Sequence, residues 1–95
     1  MIARRVHALK TRLEGDGWLV ILPGRTHSID LIAMKPEHHS MFIAARAGGK
    51  APLARFSTES RRRFLEAANT AGAVAFLVWC PEPGQEIWLA PNEWG

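Results

Sequence analysis

The chain has a single cysteine, Cys80, so no internal disulfide framework can brace it and no cysteine zinc site can form from its own thiols. Such a residue reads as a small apolar core side chain. Long hydrophobic runs are also missing. Nothing approaches a membrane span, and the N-terminal MIARRVHALKTRLEGDG has no apolar stretch of signal-peptide length. A soluble cytoplasmic protein with no membrane partner is the expectation. There is no glycine-rich phosphate cradle and no nucleophile with a base at motif spacing, which removes nucleotide-loop enzymes and triad hydrolases. No repeat or linker interrupts the 95 residues, which are enough for one domain, 1–95, and too few for two.

The residues present describe a folded chain. Hydrophobic residues make up 47% and charged residues 22%, a globular balance that argues against disorder. The formal charge is +3, a mild excess that permits a polyanionic partner without requiring one. Ile2, Val6, Leu9 and Leu13 repeat at spacings of four, three and four, which predicts an amphipathic helix ended by the GDG at 15–17. WLVIL (18–22), IDLIAM (29–34) and MFIAARA (41–47) read as strands, separated by PGRTHS and by the hairpin KPEHHS. A basic loop, GGKAPLARF, leads to a second helix. Ser57 caps it, Glu59 suits its positive end, Phe64, Leu65, Ala68 and Ala71 form its apolar stripe, and Gly72 stops it. AVAFLVW (73–79) reads as a buried strand and EIWLA (86–90) as an edge strand after the PEPGQ turn. The order α-β-β-β-α-β-β implies an α/β fold, a mixed sheet flanked by helices, with a crossover between the third and fourth strands.

Asp30 is the one acid within the apolar strands 29–34 and 41–47. Magnesium-dependent phosphodiester cleavage uses hard oxygen ligands, usually two carboxylates, with a cation or base nearby. On adjacent strands this requires an acid on one and, on the next, an acid and a lysine two residues apart, because side chains at i and i+2 share a face. Ala44 and Arg46 have that spacing, with Ile43 and Ala45 turned away; Ile29, Leu31 and Ala33 are expected to face away from Asp30. The second carboxylate is missing. Glu37, His38 and His39 cluster in the hairpin, but adjacent histidines on an extended segment point to opposite sides, which favours a solvated loop over a metal site. His7 and His27 read as surface residues, His27 standing three before Asp30. Of the four tryptophans, Trp18, Trp79 and Trp88 fall on or beside strands and read as packing residues, while Trp94 is the candidate for base stacking.

The pattern resembles the PD-(D/E)XK nuclease superfamily, and within it the archaeal-type Holliday junction resolvases. The matching residues are DGW after the first helix, HSIDLIA at a G-x-D-L-I-A-like motif, IAAR at an I-E-V-K-like strand, the basic loop GGKAPLARF, the helix STESRRRFLEAANTAG and the strand AVAFLVW. The resemblance implies a restriction-endonuclease-like mixed sheet, a magnesium cofactor, DNA recombination or repair, DNA as partner in branched or duplex form, and a homodimer. Position by position it places Asp30 at the metal-binding aspartate, Ala44 at the glutamate and Arg46 at the lysine of the catalytic motif; Val6 falls near a helix glutamate of such resolvases. Arginine retains a cation but is a poor proton-transfer group, because it stays protonated. The candidate DNA-backbone residues are Arg4, Arg5, Arg25, Arg46, Lys50, Arg55, Arg61, Arg62 and Arg63. Consecutive helix positions are about 100° apart, so at most two of Arg61 to Arg63 can face one partner. Three functions remain open: a DNA-binding nuclease-fold domain with weak or no activity, an active magnesium-dependent structure-specific endonuclease whose second ligand is supplied otherwise or whose natural residue 44 is Glu, and a non-catalytic protein-interaction subunit.

Overall fold

The computed structural model describes residues 2–24, 27–47 and 56–94, residues 2–5 through their backbone alone. Helix α1 (Ile2–Gly15) is followed by strands β1 (Leu19–Ile21), β2 (Leu31–Met34) and β3 (Met41–Ala47), helix α2 (Thr58–Ala71), and strands β4 (Val74–Cys80) and β5 (Ile87–Leu89); a 3-10 turn at Pro91–Glu93 closes the chain. The five strands form one sheet in the order β1-β2-β3-β4-β5. All neighbours are antiparallel except β3 and β4, which run parallel with α2 as their crossover.

Side-chain alternation assigns the two helices to opposite faces. Leu9 and Leu13 of α1 cluster with Val20, Leu31, Ala33, Ile43, Val78 and Cys80. Phe64 and Ala68 of α2 cluster with Phe42, Ala44, Ala75 and Leu77. Neighbours Phe42, Ile43 and Ala44 thus serve the two cores in turn, as the period-2 geometry of a strand requires. The buried Cys80 belongs to the α1-side core, as its apolar reading expects.

Helix α2 begins and ends where its sequence directs. The Ser57 hydroxyl oxygen accepts the Ser60 amide at 3.1 Å, and Gly72 takes the left-handed conformation (φ 67°) that a side chain disfavours. The run 18–22 is less buried than its composition suggests. It forms a sheet edge, where Val20 turns into the α1-side core and Trp18 packs against that core, leaving Leu19 63% and Ile21 44% exposed.

Trp94 corrects the stacking expectation. It is buried against Phe56 and Phe64, with ring centroids 5.3 and 5.9 Å away, and its Nε1 donates to the Leu89 carbonyl at 2.9 Å. The 3-10 turn folds the C-terminal segment back over the α2-side core, a local reversal that strand and helix periodicities do not register. Among the described residues, no helix is long and apolar enough to cross a membrane.

Candidate functional site

Asp30 lies immediately before β2, where the pairing with β3 is irregular. Its amide donates to the Ile43 carbonyl at 2.9 Å, yet Ile43 is also the register partner of Leu31. Two consecutive residues therefore face one on β3, the arrangement of a bulge. The segment enters through His27 and Ser28, both left-handed at φ 52° and 63°. As a result Ile29 joins the α2-side core while Leu31 and Ala33 join the α1-side core. This corrects the expectation that Ile29, Leu31 and Ala33 share one face: the extra residue shifts the parity of everything before it.

The bulge aims the Asp30 carboxylate along the end of β3. Oδ2 accepts the Ala45 amide at 2.8 Å and lies 3.3 Å from Arg46 Nη1. The same Nη1 donates to the Ala45 carbonyl at 2.7 Å, and the guanidinium carbon lies 4.8 Å from the centre of the Phe56 ring. Arg46 is thus held by a carboxylate, a carbonyl and an aromatic face, each a favourable partner for a cation. Both side chains stay partly open, Arg46 at 23% and Asp30 at 20%.

Phe56 is the component that the sequence reading missed, having been placed in a basic loop. Fully buried, it packs edge-on against Phe64 at 5.9 Å. A large apolar residue directly before a serine helix cap was the available signal, since that position commonly packs inward and fixes the helix entry. Its carbonyl accepts Arg61 Nε at 2.9 Å. Phe56 thereby joins Arg46, through its ring, to Arg61, through its backbone.

Arg62 and Arg63 stand apart from this group. Arg62 is bound by Glu59 and Glu66, and Arg63 Nε reaches Glu59 at 3.4 Å, so these two cations are matched by two carboxylates on the same helix. The Arg62 hydrogen bonds hold the exposed Glu59 carboxyl below its ordinary range. Arg25, Lys50 and Arg55 lie outside the described residues, as do the side chains of Arg4 and Arg5. In the hairpin, His38 is exposed and its ring lies 5.5 Å from Trp18.

As arranged, the group around Asp30 does not fit a magnesium ion. Ala44 has no donor and no exposed surface, and it is packed in the α2-side core. Asp30 Oδ2 already faces an amide proton and a guanidinium, which would oppose a divalent cation on the same oxygen. Among the described residues, no group of three His, Cys, Asp or Glu side chains is placed to hold a metal.

No family model matches the chain, and no curated protein sequence does. Among solved structures it is similar to Hjc of Archaeoglobus fulgidus, a Holliday junction resolvase from an archaeal hyperthermophile, with a TM-score of 0.74 and 13% identity over 90% of this chain and 75% of that one. At that identity the likeness speaks to the fold. The mixed five-stranded sheet with two helices, in the order α-β-β-β-α-β-β, is an Hjc-like restriction-endonuclease fold, and the chain is a nuclease-fold protein in that structural sense.

Proposed function

We propose that residues 1–95 form one DNA-binding domain of PD-(D/E)XK ancestry, similar to Holliday junction resolvases, whose metal centre has been lost. Asp30 keeps the aspartate position, while Ala44 and Arg46 occupy the glutamate and lysine positions. The observation that carries this reading is the Asp30–Arg46 pair: the carboxylate that would ligate a metal instead orients an arginine. The partner is branched or duplex DNA, bound mainly through its backbone, which suits a chain of net charge +3 with Arg46 and Arg61 gathered around Phe56.

The reading includes a homodimer. Its support is the apolar outer strand β1, where Leu19 and Ile21 are exposed and none of the strand's own residues is charged. An antiparallel pairing of that strand with its symmetry mate is self-complementary, as a two-fold interface must be.

The test is a salt titration of binding to a labelled four-way junction and to the matching duplex. Each neutralised phosphate contributes about −0.9 to the slope of log affinity against log salt, so affinity is expected to fall steeply. Absence of binding to either DNA at low salt would reject the reading in favour of a protein-interaction subunit.

A further inference from the structure

Arg46 is not disposed like an ordinary surface arginine. Such a side chain carries about 2 kcal/mol of rotamer entropy, which a ligand must remove on binding. Here Nη1 is fastened by Asp30 Oδ2 and the Ala45 carbonyl, and the guanidinium plane lies near the Phe56 ring. Guanidinium has five N–H donors, two of them on Nη1. Among the described residues, the three on Nε and Nη2 have no acceptor.

We propose that Arg46 is a built-in cation that takes one DNA phosphodiester through Nε and Nη2, its guanidinium held on the Asp30 carboxylate that would otherwise be free to ligate an ion. The proposal rests on the DNA-binding reading and adds to it the residue, the atoms and the independence from metal. An arginine edge with two parallel N–H groups matches two phosphate oxygens, and a fixed edge binds with less entropy loss than a free one. Asp30 is then a positioning residue that holds the fork and touches no DNA.

Charge balance agrees with this assignment. Asp30 cancels one of the two cations around Phe56, and Arg61, whose Nε is fixed on the Phe56 carbonyl, leaves the trio with a net single positive charge. A second carboxylate beside the trio would bring that sum to zero and remove its net attraction for a phosphate. With alanine at position 44 the attraction is kept, so the residue that denies a metal its second ligand also favours phosphate binding without metal.

The experiment is a salt titration of duplex binding by the full chain in chelator, comparing the parent with Arg46→Gln and Arg46→Lys. The parent is expected to bind without metal. Arg46→Gln should bind about tenfold more weakly, in line with the loss of a charged bidentate contact, and its log-log slope should be shallower by about 0.9. Arg46→Lys should retain the parent slope, because it keeps the charge, and lose affinity, because an ammonium lacks the planar fork. A second readout needs no variant: the side-chain Nε–H resonance of Arg46 should shift and become protected from exchange when duplex is added. Parent binding with an Arg46→Gln curve that superimposes on it, or with an unmoved Arg46 resonance, would overturn the inference and leave the DNA reading intact. Parent binding that appears only with magnesium would overturn the inference alone. No parent binding under any condition would overturn both.

Discussion

Arg46 Nη1 lies 3.3 Å from Asp30 Oδ2, and that same oxygen accepts the Ala45 amide at 2.8 Å. One carboxylate therefore satisfies a β3 backbone donor beyond the paired residues of β2 and fixes the cation beside it. Asp30→Ala removes both bonds and leaves a backbone N–H unmatched in a partly buried place, which is expected to cost about 1–3 kcal/mol in urea unfolding. Asp30→Asn retains an oxygen for the Ala45 amide and loses only the ion pair, so its cost should stay below about 1 kcal/mol. Equal losses for the two variants would mean that the backbone bond contributes nothing.

Ala44 has no exposed surface and shares the α2-side core with Phe42, Phe56 and Phe64. A carboxylate introduced there must leave water. Ala44→Glu is expected to destabilise the fold by about 3 kcal/mol or more, read as a fall in the urea midpoint. Full parental stability would show that the new side chain reaches Arg46 and solvent, and with them a workable metal position.

Local chemistry was legible in the sequence, and backbone irregularity was not. Helix α2 could be bounded to the residue because a serine hydroxyl and a glycine conformation act over three or four positions. The order of elements along the chain followed from the apolar runs and their periods, and the crossover from the helix between the third and fourth strands. The bulge at Asp30 escaped because its entry uses His27 and Ser28 in left-handed conformations where a glycine would have announced the turn. Trp94 escaped because the 3-10 turn before it has no amphipathic period, and Phe56 because its neighbours are basic. Asp30, Ala44 and Arg46 were singled out together by strand alternation and by the resemblance to resolvases, but their distances and the buried state of Ala44 depend on the bulge and on Phe56, which tertiary packing sets.

Acid sensitivity should centre on the far side of the sheet. Glu86 is bound by Arg12 through Nε at 2.7 Å and Nη2 at 2.5 Å, and by Trp88 Nε1 at 3.1 Å. The Arg12 hydrogen bonds, with help from Trp88, hold its carboxyl below the ordinary carboxylate range despite desolvation. A depressed folded-state value makes the contribution complete above the unfolded value and lost as pH falls through the folded one. Glu86→Gln should therefore cost about 0.5–1 kcal/mol at neutral pH, the pair being partly exposed, and the two stability curves should converge below the unfolded value of about 4.3. Urea melts from neutral to acid pH make the comparison, and parallel curves would count against the coupling.

The homodimer reading places Leu19 and Ile21 at the contact. The double change Leu19→Lys, Ile21→Lys puts two like charges on each copy of an antiparallel edge pair, which disfavours pairing without touching the buried Val20. Sedimentation equilibrium should give a dimer mass for the parent and a monomer mass for the variant, with both folded. A monomeric parent at high concentration would remove the dimer from the account.

Junction binding and junction cleavage, followed on the same samples with magnesium or with chelator at constant ionic strength, test whether Arg46 stands in for a metal at Asp30. The account expects binding in chelator to be at least as tight as in magnesium, because free magnesium competes with the protein for phosphates, and no cut product above the protein-free control. Binding tightened by magnesium, together with cleavage that Asp30→Asn abolishes, would contradict it and establish a working metal centre on Asp30.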